Sequence, residues 1–157
     1  MTDEQEKPAS ESISGNLAVC AFISRSLLFK KLAKEDLGII YENSSLHKYS
    51  ADQIIMHEGD PGKDVFLLMS GNVKVETEGK QGVIELAQLS RGAFFGEVSL
   101  LTGRPRTATV TAADAVEVIA IKNKDLEGIL RRYPKVRKLM QTIVEGRVRT
   151  AIEKTQE

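Results

Sequence analysis

The stretch FFGEVSLLTGRPRTATV, residues 94–110, places one acid directly after a glycine and, nine residues on, an arginine just past a proline. Both charges sit among apolar residues, where a charge without a partner is costly. A solvated loop has no need of those apolar flanks, and a plain core strand has no need of the charges. Glu97 and Arg106 therefore require partners, either elsewhere in the protein or in a ligand.

Local chemistry narrows the choice. Gly92, Gly96 and Gly103 punctuate the stretch, and residues 97–101 make little more than one helical turn. The N-terminus of such a turn offers free backbone N–H groups to an anion. Gly96 lets a ligand approach the backbone, and Gly103 suits a left-handed end to the turn. Pro105 holds Arg104 extended and steers Arg106 toward a strand. Glu97 accepts hydrogen bonds from hydroxyls, whereas Arg106 forks onto a phosphate or carboxylate. The pair matches a ligand with a sugar hydroxyl and a phosphate. Spacing alone leaves a second reading equally open, in which Glu97 and Arg106 simply pair with each other.

Outward from this stretch the apolar period changes twice. Residues 17–32 have helical spacing, with Phe22, Ile23, Leu27, Leu28 and Leu32 as buried candidates, and a shorter helix follows from Ala33 to about Asn43. From Leu46 the chain reads as short strands at 47–49, 53–57, 65–69, 73–77, 83–89, 106–111 and 116–121, rich in Val, Ile, Leu and Thr. Residues 58–62 form a turn cluster, and Ser70, Gly71 and Asn72 a tight hairpin turn. The helical period returns at 124–133, stops near Pro134, and resumes over 135–153. The expected class is α+β: a small β-barrel or jelly roll with N-terminal helices, a short helix in the quoted stretch and two C-terminal helices. Residues 1–16, acidic and polar, are expected to be a disordered tail.

Composition removes several function classes. The 157 residues suit one globular domain, and 22 basic against 22 acidic residues give no whole-molecule attraction to nucleic acid or anionic lipid. The lone Cys20 excludes an intrachain disulfide, suits a reducing cytoplasm and reads as a packed hydrophobe. No apolar run is long enough to span a membrane, and the N-terminus lacks the features of a signal peptide. His47 and His57 are the only histidines, so neither a nucleophile–base set nor a cupin-like metal site can be assembled. There is no P-loop. A binding module is expected rather than an enzyme, with no metal and no cofactor.

The resemblance names the ligand class. Residues 95–101 and 105–110 closely resemble the phosphate-binding cassette of the cyclic nucleotide-binding domain family, and the match continues through His57 to Gly62 and Ser70 to Val73. That family includes regulatory subunits of cyclic-nucleotide-dependent kinases, gated channels and catabolite-activator-type regulators. The resemblance implies that residues 17–134 are such a domain and that cAMP, ahead of cGMP, is the ligand. It implies that Arg106 holds the exocyclic phosphate oxygens and Glu97 the ribose 2′-hydroxyl, with Gly96 beside it. Ser99 and the Thr107 N–H join the phosphate contacts, Val98 and Ala108 complete the cassette, and Val75 and Leu89 line the base. The Thr107 hydroxyl also permits guanine. Activator-type relatives continue into a helix-turn-helix, for which this chain has no room before Glu157, so a stand-alone receptor without nucleic-acid or membrane partners is expected.

The final helix, 135–157, is expected to carry the output. Val136, Leu139, Met140, Ile143, Val144, Val148 and Ile152 form a stripe too long for a small barrel to cover. The resemblance implies that this helix caps the nucleotide and self-associates or docks a partner protein, the other reading being an amphipathic helix packed on its own domain. Arg131, Arg132, Lys135, Arg137, Lys138, Arg147 and Arg149 read as a solvated face. Two alternatives accompany this reading: a nucleotide-free scaffold, and a regulatory piece of a partner enzyme or channel.

Overall fold

The computed structural model describes residues 10–155. In chain order the elements are β1 (Ser10–Ser12), α1 (Leu17–Arg25), α2 (Lys34–Asn43), β2 (Ser45–Tyr49), β3 (Ile54–Met56), β4 (Asp64–Ser70) and β5 (Val73–Gly79). There follow β6 (Gly82–Leu89), β7 (Phe94–Phe95), α3 (Glu97–Thr102), β8 (Thr109–Ala112), β9 (Val116–Lys122), α4 (Asn123–Arg132) and α5 (Pro134–Thr155). The strands form two antiparallel sheets, β1-β2-β9-β4-β7 and β3-β8-β5-β6, which face each other without closing into one barrel. The class is the expected α+β.

Two cores follow from the two-residue period of β4 and β9. Phe66, Leu68, Val118 and Ala120 point between the sheets, where they meet Val73, Phe95, Val110 and Ala112. Their neighbours Val65, Leu67, Ile119 and Ile121 point the other way, onto a helical layer of Ile23, Phe29, Ile40, Leu126, Ile129 and Met140. Both faces of these strands are therefore apolar, which is why they read as near-continuous hydrophobic runs. The 70–72 turn needs its glycine: Gly71 has φ +83, and a Cβ would stand 2.3 Å from the carbonyl oxygen of Ala115.

Four expectations are corrected. The tail is not disordered throughout. Ser10–Ser12 pair with β2 and Ile13 is fully buried, because the edge of β2 offers unpaired backbone groups. Residues 1–9 lie outside the described residues. The helix expected over 17–32 ends at Arg25, where the Ser26 hydroxyl and N–H both donate to the Ile23 carbonyl. That break turns Leu27 outward to 53% exposure, while Leu28, Phe29 and Leu32 are buried. The strand expected from Arg106 begins only at Thr109.

Pro134 does not merely stop α4: it opens α5 from the first helical turn, where its missing N–H costs nothing. Val136 and Met140 of the α5 stripe are buried in the helical core, Leu139, Ile143 and Val144 pack against it, and Ile152 is half exposed. The Val148 side chain lies outside the described residues.

Candidate functional site

The quoted stretch leaves the sheet at a fixed point because Phe94 and Phe95 pair with Leu67 and Phe66 of β4. Gly96 then takes φ +85 as the N-cap of α3, and a Cβ there would stand 2.7 Å from Arg106 Nη1. The chain returns through Pro105 to Arg106, whose backbone is clamped by the 58–62 turn. Arg106 N–H donates to the Asp60 carbonyl and Gly59 N–H to the Arg106 carbonyl, both at 2.8 Å. The same turn is tied to β5 and β8, since Glu58 Oε1 accepts from Thr77 Oγ1 and Glu58 N–H donates to Thr109 Oγ1.

Arg106 is only 7% exposed. Nη1 donates to the Gly96 carbonyl at 2.9 Å and Nη2 to the Asp64 carbonyl at 2.8 Å. Two of the five guanidinium N–H donors are thus used on the main chain. The guanidinium also stands 5.6 Å from the Phe66 ring centroid. Burial lowers the Arg106 pKa from its ordinary value, opposed by the fields of Asp64 and Glu97. Among the described residues no carboxylate lies within ion-pair distance of it.

Glu97, 4% exposed, does not pair with Arg106. Its Oε1 accepts from Arg147 Nη1 of α5 at 3.0 Å, and the Arg147 guanidinium lies 4.9 Å from the Phe94 ring centroid. This corrects the expectation that Arg147 belongs to a solvated face. One signal in the sequence was available. Arg147 follows Met140, Ile143 and Val144 at helical spacing, so it falls on the apolar stripe rather than opposite it.

Two further residues went unread as site residues. Gly62 belongs to the turn cluster, yet a Cβ there would stand 2.6 Å from Ser99 Oγ and 2.8 Å from Arg106 Cζ. Asp64 contributes a carbonyl, which no side-chain motif can announce. Ser99 Oγ is buried with no hydrogen-bond partner among the described residues.

A cavity of about 360 Å³ adjoins this cluster. Gly96, Glu97, Val98, Ser99, Arg106, Thr107 and Ala108 line one side of it, and Val75, Leu89 and Met56 belong to its sheet wall. Ile143, Val144, Gly146 and Arg147 of α5 cover it. All nine residues expected at a ligand site therefore border one cavity, of a size usual for small-molecule sites. A buried cation and an acid sit among mainly apolar walls, an arrangement that takes an anionic group and a hydroxyl on an otherwise apolar ligand. Among the described residues there is no group of three or more His, Cys, Asp or Glu that could hold a metal, and no helix long and apolar enough to cross a membrane.

The sequence profile of the cyclic nucleotide-binding domain matches residues 46–133, more than half of the chain. A cAMP-dependent protein kinase regulatory subunit of Mycosarcoma maydis is 31% identical over 120 residues, covering 69% of this chain and 23% of that protein. Among solved structures, the regulatory domain of Toxoplasma gondii PKA, co-crystallised with cAMP, superposes with a TM-score of 0.69 at 25% identity over 77% of this chain and 46% of that one. The catabolite activator protein of Thermus thermophilus does so with 0.66 at 30% identity over 79% and 59%. The chain spans about a quarter to a third of the length of the first curated relatives it matches.

Proposed function

The chain belongs to the cyclic nucleotide-binding domain family, and from that membership we propose that it is a receptor for a cyclic nucleoside monophosphate, cAMP ahead of cGMP, which passes the bound state to α5. The observation that carries this reading is Arg106, a buried guanidinium anchored on two carbonyls with no counter-ion in contact among the described residues. A nucleotide phosphate supplies that counter-ion and takes donors that the main chain leaves unused.

The remaining roles in this proposal are those the family resemblance implies, and the geometry is compatible with them. Glu97 has one oxygen held by Arg147, so its Oε2 takes the ribose 2′-hydroxyl, with Gly96 alongside. Ser99 Oγ, buried with no hydrogen-bond partner among the described residues, takes a phosphate oxygen. The Thr107 N–H joins it, Val98 and Ala108 close the cassette wall, and the base packs between Val75 and Leu89. The preference for cAMP rests on the two kinase relatives named for that nucleotide. α5 covers the cavity, so a ligand that binds the covered arrangement better than an open one shifts the population toward it. The output, through self-association or a partner protein docked on α5, is part of the same proposal, as is a cytoplasmic setting.

Calorimetric titration of nucleotide-stripped protein with cAMP and cGMP, for wild type and Arg106→Lys, tests this. Wild type is expected to bind. The lysine variant should lose at least about tenfold, since a point charge cannot reproduce the fork and a desolvated charge-assisted contact is worth about 2–5 kcal/mol. A lysine variant within threefold of wild type would refute the forked contact. No heat from either nucleotide would overturn the receptor reading and leave a scaffold acting through α5.

A further inference from the structure

The zero net charge of the chain conceals an uneven distribution. Lys30 and Lys31 lie in the turn after α1, and Lys34 opens α2. Far away in sequence, Arg131 and Arg132 end α4, and Lys135 and Lys138 lie in the first turns of α5. A joint at Tyr133 brings the two basic runs together. Ala33 N–H donates to Tyr133 Oη at 3.0 Å, Tyr133 Oη donates to Asp36 Oδ2 at 2.7 Å, and Arg132 pairs with Asp36. All seven cations are exposed. Only Arg132 among them makes an ion pair with a described residue. The acids of the same two segments are Glu35 and Asp36, and Asp36 is already engaged.

We propose that this face docks peripherally on an anionic lipid surface, with the lysines among the headgroup phosphates and Leu27 entering the interface. Charge complementarity gives the first argument: a face with six cations that pair with no described residue attracts a surface of negative charge. Leu27 supplies the second. Lys30 N–H closes a turn onto the Ser26 carbonyl, which sets Leu27, Lys30 and Lys31 on one outer face, and Leu27 is 53% exposed there. An apolar side chain amid lysines has a place in a bilayer interface and none on a phosphodiester backbone. Five of the seven cations are lysines, compact charges on flexible stems that suit a diffuse field better than forked recognition of single groups. Each cation near an anionic bilayer contributes about a fivefold gain in partition, so several must act together. This face does not depend on nucleotide binding, and its test is independent of the titration above.

The test is co-sedimentation of the full chain with phosphatidylcholine vesicles and with mixed phosphatidylcholine–phosphatidylserine vesicles, at low and high salt. Binding is expected only to the mixed vesicles, and high salt should remove it. Lys30→Glu/Lys31→Glu/Lys135→Glu should lower it more than tenfold, Leu27→Ser severalfold, and Lys74→Glu/Lys80→Glu on the β5–β6 hairpin not at all. Equal binding to both vesicle types, or none to either, would overturn the proposal whatever the variants do. So would a short DNA duplex bound more tightly than the mixed vesicles and lost in the same triple variant, which would make the face a nucleic-acid surface instead.

Discussion

Arg106 and Glu97 are both buried beside one cavity, yet they do different work there because their partners differ. Arg106 spends donors on carbonyls, which leaves its charge uncancelled, whereas Glu97 is neutralised by Arg147. Both residues were legible in the sequence because a charge inside an apolar run must be accounted for. Thr107 stands exposed beside them on the cavity wall, and under the proposed function it is the residue at which the two bases can be told apart. Its hydroxyl can accept from the amino group of guanine, whereas the adenine reading needs nothing from it. Thr107→Ala is therefore expected to weaken cGMP several-fold and leave cAMP within twofold, measured by competition against a fluorescent cyclic nucleotide. Equal losses for both nucleotides would show that the hydroxyl reads no base.

Among the elements, α5 has the double duty. Its stripe closes the helical core with Val136 and Met140, and further along it covers the cavity with Ile143, Val144 and Arg147. The Arg147–Glu97 bridge and the Arg147–Phe94 contact tie that second part to the cassette. Arg147→Met keeps the aliphatic stem but leaves the Glu97 carboxylate buried without a partner, at a cost of about 1–3 kcal/mol. Amide exchange is then expected to quicken over 143–150 and the melting temperature to fall. Adding Glu97→Gln should restore much of the stability, because no buried charge is left unpaired, without restoring nucleotide affinity. Unchanged exchange in Arg147→Met would show that apolar packing alone holds α5 down.

At the scale of the molecule, the N-terminal helices and the α4–α5 corner meet at Tyr133, whose hydroxyl accepts from Ala33 and donates to Asp36. That hydroxyl foremost, with help from Arg132, holds the Asp36 carboxyl below its ordinary pKa. A carboxylate favoured in the folded state adds stability above its unfolded pKa of about 3.9, and loses it as the pH falls through the folded value. Tyr133→Phe is expected to cost about 1 kcal/mol at pH 7, a fall of about 2–4 °C in melting temperature for a chain of this size. The difference should shrink on acidification below pH 4. A variant that melts with wild type at pH 7 would reduce the joint to a solvated surface contact.

The sequence alone determined what is local. Apolar period and turn residues placed most of the strands, the C-terminal helices and the α+β class, and the 94–110 stretch carried the resemblance to the family's phosphate-binding cassette. Its reading stopped where partners come from far along the chain. It gave Glu97 a choice between Arg106 and a ligand, while the fold supplied Arg147, 50 residues away, from a helix whose surface charges read as solvated. It took Gly62 for a turn residue, although its lack of a side chain makes room for Ser99 and Arg106. It took Leu27 for core, but a serine cap ended the helix first and turned that leucine outward. Residue type and spacing fix the interactions a segment can make by itself. Which distant group completes a buried charge, and which cations end on a common face, is decided only when the elements pack.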